Sequence, residues 1–521
     1  MSYNTSLWNS VLSELQRDPN RINEVNSKCI QCQKNQTLRW YEKVVGNPNY
    51  SGYALFICLH GGGHGAASMN DSQWKDIIPF ESGGFQNGTI AVAPRGINNE
   101  WNLHFVDESY PALTRLIENY IIFRSVDPNR VYLMGFSAGG DGTYQLSERL
   151  PHLLAAASPQ GGHPNGVSTI NICNLPIYFA AGEKDGAFKR NQICVDYYKQ
   201  VMGQNGKYLG KYIAKVEVVA GSPHSFQCWK RPRKSFFNGS KSATTTNETA
   251  FDFMYSYTRN PFPTELSLDT KCFLTKLRNY YTPRGNTFYN IEVGKNPSPI
   301  IQVRIDYSGN TITVKEGTNF KINLMSSLFG NGGDVVNVVA GGKTVQYRLQ
   351  KDQNYARNNM KLFCDPYYGF DSYITIGNFQ PEVNVGYQPQ PPTPVAQQPQ
   401  IPQQIPQQRV VYPQQSQIPQ QIPQQRVVYP QQSQIPQQRI AYPQQVNPPL
   451  QQFPQQIPAY GNQQVQYGYQ QGYQRGGFGQ DMFPGRQVQQ IGYPQPPQAQ
   501  FGNVYGQQRF QYGGNPFSNY Y

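Results

Sequence analysis

The chain has 521 residues, a net charge of +13 and a hydrophobic fraction of 38%. That length is too great for one ordinary domain. The low hydrophobic fraction averages two regions, because the sequence reads as globular up to about residue 380 and is rich in Gln, Pro, Gly and Tyr beyond it. The positive charge does not indicate a specific nucleic-acid site, since the tail arginines are sparse and the one dense basic run, "WKRPRKSFF", is typical of a solvated loop.

The cysteines and the N-terminal sequence indicate in which cellular compartment the chain is expected. Cys29 and Cys32 form a CxxC pair, but no second pair follows at zinc-finger spacing, so we expect free thiols and neither a zinc site nor a disulfide framework. No basic segment precedes an apolar stretch at the N-terminus, and no run of about 18 apolar residues occurs. We therefore expect no signal peptide or membrane span, and an intracellular location, or a virion if a large DNA virus encodes the chain.

In chain order, residues 1–36 are a polar lead-in with one predicted helix at 5–17. Residues 37–260 alternate buried strands with amphipathic helices. The predicted strands lie at 53–61, 88–96, 130–136, 175–183 and 212–221, and the predicted helices at 110–126, 139–150 and 188–203. This alternation predicts an α/β fold, with a mostly parallel sheet and helices on both of its faces.

The two remaining regions differ from the first. Residues 261–385 alternate with a period of two between turn signals, which predicts a small β-rich domain. Residues 386–521 form a Gln/Pro-rich tail in which the 17-residue unit "IPQQIPQQRVVYPQQSQ" occurs at 401–417 and again at 418–434. Because proline breaks helices and strands and the tail has little apolar mass, we expect this tail to be disordered and capable of self-association.

The stretch "VYLMGFSAGGDGTYQL", residues 131–146, places Ser137 between Gly135 and Gly139, after a strand and before a helix. A Gly-x-Ser-x-Gly turn in this position raises the serine above the carboxyl edge of a parallel sheet, as at the nucleophile of α/β-hydrolases. The helix begins at once, so the N–H of Ala138 points toward the same space. The pattern alone is weak, and it needs a base and an acid to become a catalytic site.

Both partners occur in the order Ser, Asp, His, which is the α/β-hydrolase order. Asp185 and His224 each come just after a predicted strand, and carboxyl ends of parallel strands meet at one sheet edge. The earlier segment "LHGGGHG", residues 59–65, ends another strand and offers backbone N–H groups to a developing oxyanion. The predicted catalytic residues are Ser137, Asp185 and His224, and the predicted oxyanion donors are Gly61, Gly62, Gly63 and Ala138.

Other residues compete for some of these roles. Glu183 lies on the same loop as Asp185 and is the alternative acid, whereas Asp141 is too close to Ser137 on one helix to reach behind the histidine. Among the remaining histidines, His104 and His163 either line the pocket or are ordinary loop residues.

Five segments together resemble the α/β-hydrolase superfamily, in its esterase-like branch with a GxSAGGDG elbow, related to polyhydroxyalkanoate depolymerases and feruloyl esterases. The segments are "LHGGGHGAASMNDSQW", "APRGINNEWNLHF", "DPNRVYLMGFSAGGDGTYQL", "GGHPN" and "AGEKDGAFKRN". The resemblance covers about residues 40–260. It implies an esterase without a metal or organic cofactor. It also implies that further residues shape the pocket or brace the oxyanion loop, namely Asn70, Asp71, Trp74, Trp101 and Asn102.

The sequence thus predicts a serine hydrolase that acts on small esters through an acyl-enzyme. A serine peptidase is an alternative, because the same triad serves both reactions. A second alternative is a structural or assembly protein that works through its tail, with a vestigial hydrolase domain. The acyl and alcohol specificity, the oligomeric state and the roles of the tail and β-rich region do not follow from the sequence.

Overall fold

The large sheet of this protein contains ten strands. The structure is a computed structural model that describes residues 4–32, 35–274, 286–377 and 381–383. The strands of the sheet are β1 (Cys29–Gln31), β2 (Thr37–Val45), β3 (Tyr53–Leu59), β4 (Thr89–Pro94), β5 (Val126–Phe136), β6 (Ala156–Gln160), β7 (Ile177–Gly182), β8 (Ala214–Val219), β9 (Arg233–Phe237) and β10 (Thr244–Thr246). Their order is β1-β2-β4-β3-β5-β6-β7-β8-β9-β10. The strands from β4 to β8 pair in parallel, and the outer pairs on each side are antiparallel.

Helices cover both faces of this sheet. They are α1 (Thr5–Leu15), α2 (Pro19–Ser27), α3 (Ala67–Glu81), α4 (Ser109–Phe123), α5 (Ala138–Arg149), α6 (Arg190–Met202) and α7 (Ala250–Tyr255). Alternate residues of β3 point to opposite faces of the sheet. Leu55 packs in the apolar cluster that contains residues of α4, α5 and α6, and Phe56 packs with residues of α3 and α7. Burial on both faces explains why the central strands are continuous apolar runs.

The predicted α/β fold is confirmed. The five predicted strands correspond to β3, β4, β5, β7 and β8, and the three predicted helices to α4, α5 and α6. The basic run expected to be a solvated loop is different. Part of it forms β9, and Arg233 is buried and bonds to Glu217 at 2.6 and 2.7 Å. A buried guanidinium needs such a partner, and this ion pair joins the antiparallel strand β9 to β8.

The N-terminal residues contribute more than the single predicted helix. Both α1 and α2 are present, and β1 extends the large sheet through antiparallel pairing with β2. Trp8, Val11 and Leu15 of α1 share an apolar cluster with Met360. Asn4 caps α1 by accepting from the Leu7 N–H, and Asp18 caps α2 in the same way.

The β-rich region consists of two five-stranded sheets, which confirms its predicted class. Their orders are β11-β14-β15-β17-β18 and β12-β13-β16-β19-β20. The elements are β11 (Glu265–Asp269), α8 (Lys271–Leu274), β12 (Thr287–Phe288), β13 (Ile291–Val293), β14 (Ile300–Asp306), β15 (Thr311–Glu316), β16 (Phe320–Leu324), β17 (Val335–Ala340), β18 (Lys343–Arg348), α9 (Gln353–Phe363), β19 (Ser372–Ile376) and β20 (Pro381–Val383). One apolar cluster includes residues of both the large sheet and these sheets.

Two predictions about organisation are not tested by the structure. The boundary at residue 260 between two domains stays a sequence-based prediction. The repeats and the low-complexity segment, residues 386–521, lie outside the described residues.

Candidate active site

Ser137 occupies the sharp turn between β5 and α5. Its backbone has φ 58° and ψ −120°, a conformation that residues with a Cβ rarely adopt and that costs about 1–3 kcal/mol. The Ser137 N–H donates to the Gln160 carbonyl at 2.9 Å, which ties the turn to the end of β6. A Cβ on Gly135 would lie 2.1 Å from the Gly139 carbonyl oxygen, so only glycine allows the chain to close this tightly. The turn therefore holds the hydroxyl in a fixed position at the carboxyl edge of the sheet.

The loops after β7 and β8 bring an acid and a base to this hydroxyl. His224 Nε2 is 2.9 Å from Ser137 Oγ, and His224 Nδ1 is 2.7 Å from Asp185 Oδ2. A carboxylate only accepts hydrogen bonds, so Nδ1 carries the proton and Nε2 is free to accept from the hydroxyl. Asp185 is buried, while the His224 side chain is about one-third exposed. The structure thus joins the three residues that the sequence singled out, from positions up to 87 residues apart.

Glu183, the alternative acid, is directed elsewhere. Its Oε2 accepts the Gly221 N–H at 2.6 Å, and its carbonyl oxygen accepts from the Asn191 side chain. Both contacts hold the loops that carry Asp185 and His224, and neither involves the imidazole. The geometry favours Asp185 over Glu183 as the partner of His224.

The glycine-rich loop after β3 passes beside Ser137. A Cβ on Gly61 would lie 3.3 Å from Ser137 Cβ, which measures how closely the two backbones approach. Ala138 is the first residue of α5, where helical N–H groups have no partner within the helix. Gly63 must be removed from the predicted donors, because its N–H donates to Asn70 Oδ1 at 2.8 Å. The remaining candidate donors are Gly61, Gly62 and Ala138.

Two buried histidines hold this loop through hydrogen bonds to its backbone. His60 Nε2 accepts the Gly96 N–H at 3.0 Å, so its proton is on Nδ1, which donates to the Gly61 carbonyl at 2.6 Å. His104 Nε2 donates to the His60 carbonyl at 2.9 Å. Burial lowers the pKa of His60 to about 4 and the pKa of His104 well below its usual value, so both rings are neutral at pH 7. His104 is only 3% exposed, which favours a structural role over the alternative that it lines the pocket.

The other predicted pocket residues fall into two groups: most are polar residues on α3 and on the segment after β4, and two are tryptophans. Asn70 is fully buried and contacts the oxyanion loop, and Asp71 forms an ion pair with Arg95 at 2.8 Å. Arg95 in turn donates to the carbonyl oxygens of Gly96 and Asn98. Asn102 accepts from the Asn98 side chain at 3.3 Å on this same loop. These polar residues connect α3 to the segment after β4, and none of them is the base or nucleophile.

The two tryptophans have different environments. Trp74 is buried, stacks on Tyr41 with ring centroids 4.2 Å apart and donates to the Ala93 carbonyl, so its ring packs between α3 and the sheet. Trp101 is 47% exposed and stacks on His64, with ring centroids 5.7 Å apart. Phe188, which the sequence reasoning missed, lies 6.4 Å from Trp101 and is held in a positive-φ turn three residues after Asp185. These rings form an exposed aromatic rim.

His163 lies on the loop after β6 and is half-buried. Its backbone N–H donates to Asp141 Oδ1 at 2.7 Å, and its Nδ1 accepts the Asn165 N–H at 3.1 Å. Sequence reasoning excluded Asp141 as the acid and gave it no other role. Its position in the first turn of α5 was the available signal, because a carboxylate there faces the loops at the sheet edge.

Within the described ranges, no group of three or more His, Cys, Asp or Glu side chains is arranged to hold a metal ion. None of the helices in those ranges combines the length and apolar character needed to cross a membrane.

Comparison with known proteins assigns the chain to a family. The model of the dienelactone hydrolase family matches residues 95–258. Protein usf of Aquifex pyrophilus is 30% identical over 163 residues, which are 28% of this chain and 67% of that protein. A poly(3-hydroxybutyrate) depolymerase of Ralstonia pickettii is 25% identical over 176 residues, 27% of this chain, and the match spans only 35% of the depolymerase's length.

Solved structures also resemble part of the chain. A poly(3-hydroxybutyrate) depolymerase from Bordetella parapertussis is 15% identical with a TM-score of 0.32, over 39% of this chain and 89% of that one. A feruloyl esterase module from Clostridium thermocellum is 17% identical with a TM-score of 0.28, over 38% of this chain and 80% of that one. Together with the matched relatives, the family model shows that the chain belongs to the dienelactone hydrolase family of α/β-hydrolases.

Proposed function

We propose that this protein is a serine hydrolase that cleaves carboxylic esters through an acyl-enzyme on Ser137. The observation that carries the proposal is the continuous contact from Ser137 Oγ through His224 to Asp185, at 2.9 and 2.7 Å. A hydroxyl becomes an effective nucleophile when an adjacent base can take its proton, and that base is oriented by a third group. The family and a polyester depolymerase among the relatives support ester chemistry over peptide chemistry.

In the acylation half-reaction, Ser137 Oγ attacks the acyl carbon while its proton passes to His224 Nε2. The tetrahedral intermediate carries a negative charge on the former carbonyl oxygen. When it collapses, the bond to the alcohol oxygen breaks and His224 returns the proton to the departing alcohol. The acyl group is then bound to Ser137 as an ester.

Deacylation repeats these steps with water. His224 Nε2 takes a proton from a water molecule, whose oxygen attacks the acyl carbon, and the proton then goes to Ser137 Oγ as the acid product leaves. Asp185 keeps the Nδ1 proton in place and stabilises the imidazolium that forms in both halves. Because Asp185 is buried, its interaction with that cation is weakly screened.

The oxyanion is stabilised by the Ala138 N–H and by an N–H of the Gly61–Gly62 segment. One such donor typically contributes about 3–4 kcal/mol to lowering the barrier. His60 and His104 are proposed to keep this segment rigid through their bonds to its carbonyl groups. A prearranged donor costs no reorganisation when charge develops, which is why the support matters.

A fluorophosphonate probe tests the proposal directly, because it reacts only with an activated serine. Wild type should be labelled, and Ser137→Ala should not. Ser158→Ala is the control: Ser158 is a buried serine of β6, next to the strand that leads to Ser137, and its hydroxyl donates to the Tyr178 carbonyl. Equal labelling of wild type and Ser137→Ala would reject the proposal. Turnover of p-nitrophenyl esters of increasing acyl length then measures the acyl preference.

A further inference from the structure

Asp141 is a half-buried carboxylate close to the proposed catalytic residues, and the mechanism above does not use it. It lies four residues after Ser137 in the first turn of α5. Its Oδ1 accepts the His163 N–H at 2.7 Å and its Oδ2 accepts from Asn165 Nδ2 at 3.2 Å. Both donors belong to the loop at 161–165, which follows β6. The carboxylate therefore ties that loop to the helix that begins at the nucleophile.

The same loop packs against the base and its acid. Gly161 has φ +55°, and a Cβ there would lie 3.2 Å from His224 Cε1 and 3.3 Å from Asp185 Oδ2. On the other side, a Cβ on Gly162 would lie 2.4 Å from the Gly140 carbonyl carbon and 2.7 Å from the Asp141 N. Gly161 thus packs against the imidazole and its acid, and Gly162 packs against the first turn of α5. A side chain at either position would push the loop away from these neighbours.

The ionisation of Asp141 depends on the groups that surround its carboxylate. Burial raises the pKa of Asp141 to about 6, while the His163 N–H, Arg190, the Asn165 side chain and His224 all act to lower it. The groups that face the carboxylate are Arg190 from α6, His163 and Asn165 from the loop, Tyr144 from α5 and His224. His163 is neutral near pH 7, since burial lowers its pKa. At that pH Asp141 is mostly ionised, and its negative charge interacts favourably with a cationic His224.

We propose that Asp141 is a positioning residue, which holds the 161–165 loop against the His224–Asp185 pair and whose negative charge stabilises the cation formed on His224 during acyl transfer. This inference rests on the proposed function. It adds to the site a second carboxylate, which acts on His224 through the 161–165 loop and through its charge.

The test measures kcat/KM for p-nitrophenyl acetate from pH 4.5 to 9 in the full-length chain. Asp141→Asn keeps an acceptor for the His163 N–H and removes the charge, together with the acceptor for Asn165 Nδ2. We expect kcat to fall about tenfold and the acidic limb of the profile to move about one unit lower, at the low end of the effect of a nearby charge. A merely structural role would lower activity without moving that limb.

Two further variants separate charge from contact. Arg190→Met should raise the pKa of Asp141, so the tenfold fall in kcat that follows protonation of Asp141 should appear at a higher pH than in wild type. Asn165→Ala removes one loop contact and no charge, so its acidic limb should coincide with that of wild type. If Asp141→Asn does not fold, the Arg190→Met profile still decides the question.

The outcomes distinguish this inference from the proposed function. Absence of fluorophosphonate labelling in wild type would reject the proposed function itself. Labelling of wild type together with unshifted profiles for both Asp141→Asn and Arg190→Met would overturn the role of Asp141 alone. A shifted profile for Asn165→Ala would also overturn it, because the shift would then come from the loop and not from the charge.

Discussion

Removal of the Asn70 side chain is expected to disable the oxyanion loop while leaving the nucleophile and base intact. Asn70 is fully buried, and its Oδ1 is the acceptor for the Gly63 N–H at 2.8 Å. In Asn70→Ala that N–H stays buried without a partner, which costs about 1–3 kcal/mol of stability. The loop can relieve this cost only by moving. A displacement of about 1 Å at a catalytic group can cost about 100-fold in rate.

The assay compares steady-state hydrolysis of p-nitrophenyl acetate with thermal unfolding. We expect kcat to fall about 100-fold with KM nearly unchanged, because oxyanion contacts form in the transition state and not in the bound substrate. The melting temperature should fall by several degrees. A 100-fold loss corresponds to about 2.7 kcal/mol of barrier.

A control variant on the same helix separates stability from catalysis. Ile78 is buried in α3 but packs in the apolar cluster of that face. Ile78→Val should cost about 1 kcal/mol of stability and leave kcat within about twofold. If Asn70→Ala loses stability but retains the kcat of wild type, Asn70 supports only the fold, and the reasoning about the loop is refuted.

Asp185→Asn should lower kcat by about 10³–10⁴-fold, since the amide no longer stabilises the correct imidazole tautomer, whereas Glu183→Gln should stay within about tenfold. The opposite ranking in p-nitrophenyl ester turnover would assign the acid to Glu183. Burial raises the pKa of Glu81 from its ordinary value of 4.5 to about 8, so the native state keeps a proton that the unfolded chain has released. This contribution to stability is present below pH 4.5 and is lost as the pH rises toward 8, by about 4–5 kcal/mol. Glu81→Gln should lack this loss, and urea unfolding at pH 5 and pH 8 checks it; equal pH dependence in both proteins would contradict the assignment.

The sequence was sufficient to locate Ser137, Asp185 and His224 because each follows the carboxyl end of a strand. In a parallel sheet those ends lie on one edge, so strand order and spacing determine which side chains meet. The residues that hold the loops of the site in place were harder to predict from the sequence. His60, Arg95 and Asp141 act through bonds to backbone groups of distant loops, and apolar periodicity carries no information about such bonds.

Trp74 shows a second limit of the sequence. The family resemblance implied that Trp74 shapes the pocket or braces the oxyanion loop. Its ring instead stacks on Tyr41 of β2, a strand that the pattern did not reveal. The partner of a side chain on an amphipathic helix depends on which strand lies beneath it, and that depends on the tertiary fold.

The shared apolar cluster has a consequence for how the chain can be divided. Tyr289 donates to the Cys173 carbonyl at 3.2 Å, and Asn171 and Asn174 bond to backbone groups of β11, so polar as well as apolar contacts cross from one sheet system to the other. A fragment that stops near residue 260 would expose apolar side chains of this cluster to solvent and leave the side-chain amides of Asn171 and Asn174 without these partners. Dissection by truncation therefore risks producing an insoluble fragment, and point substitutions in the intact polypeptide are the safer means of study.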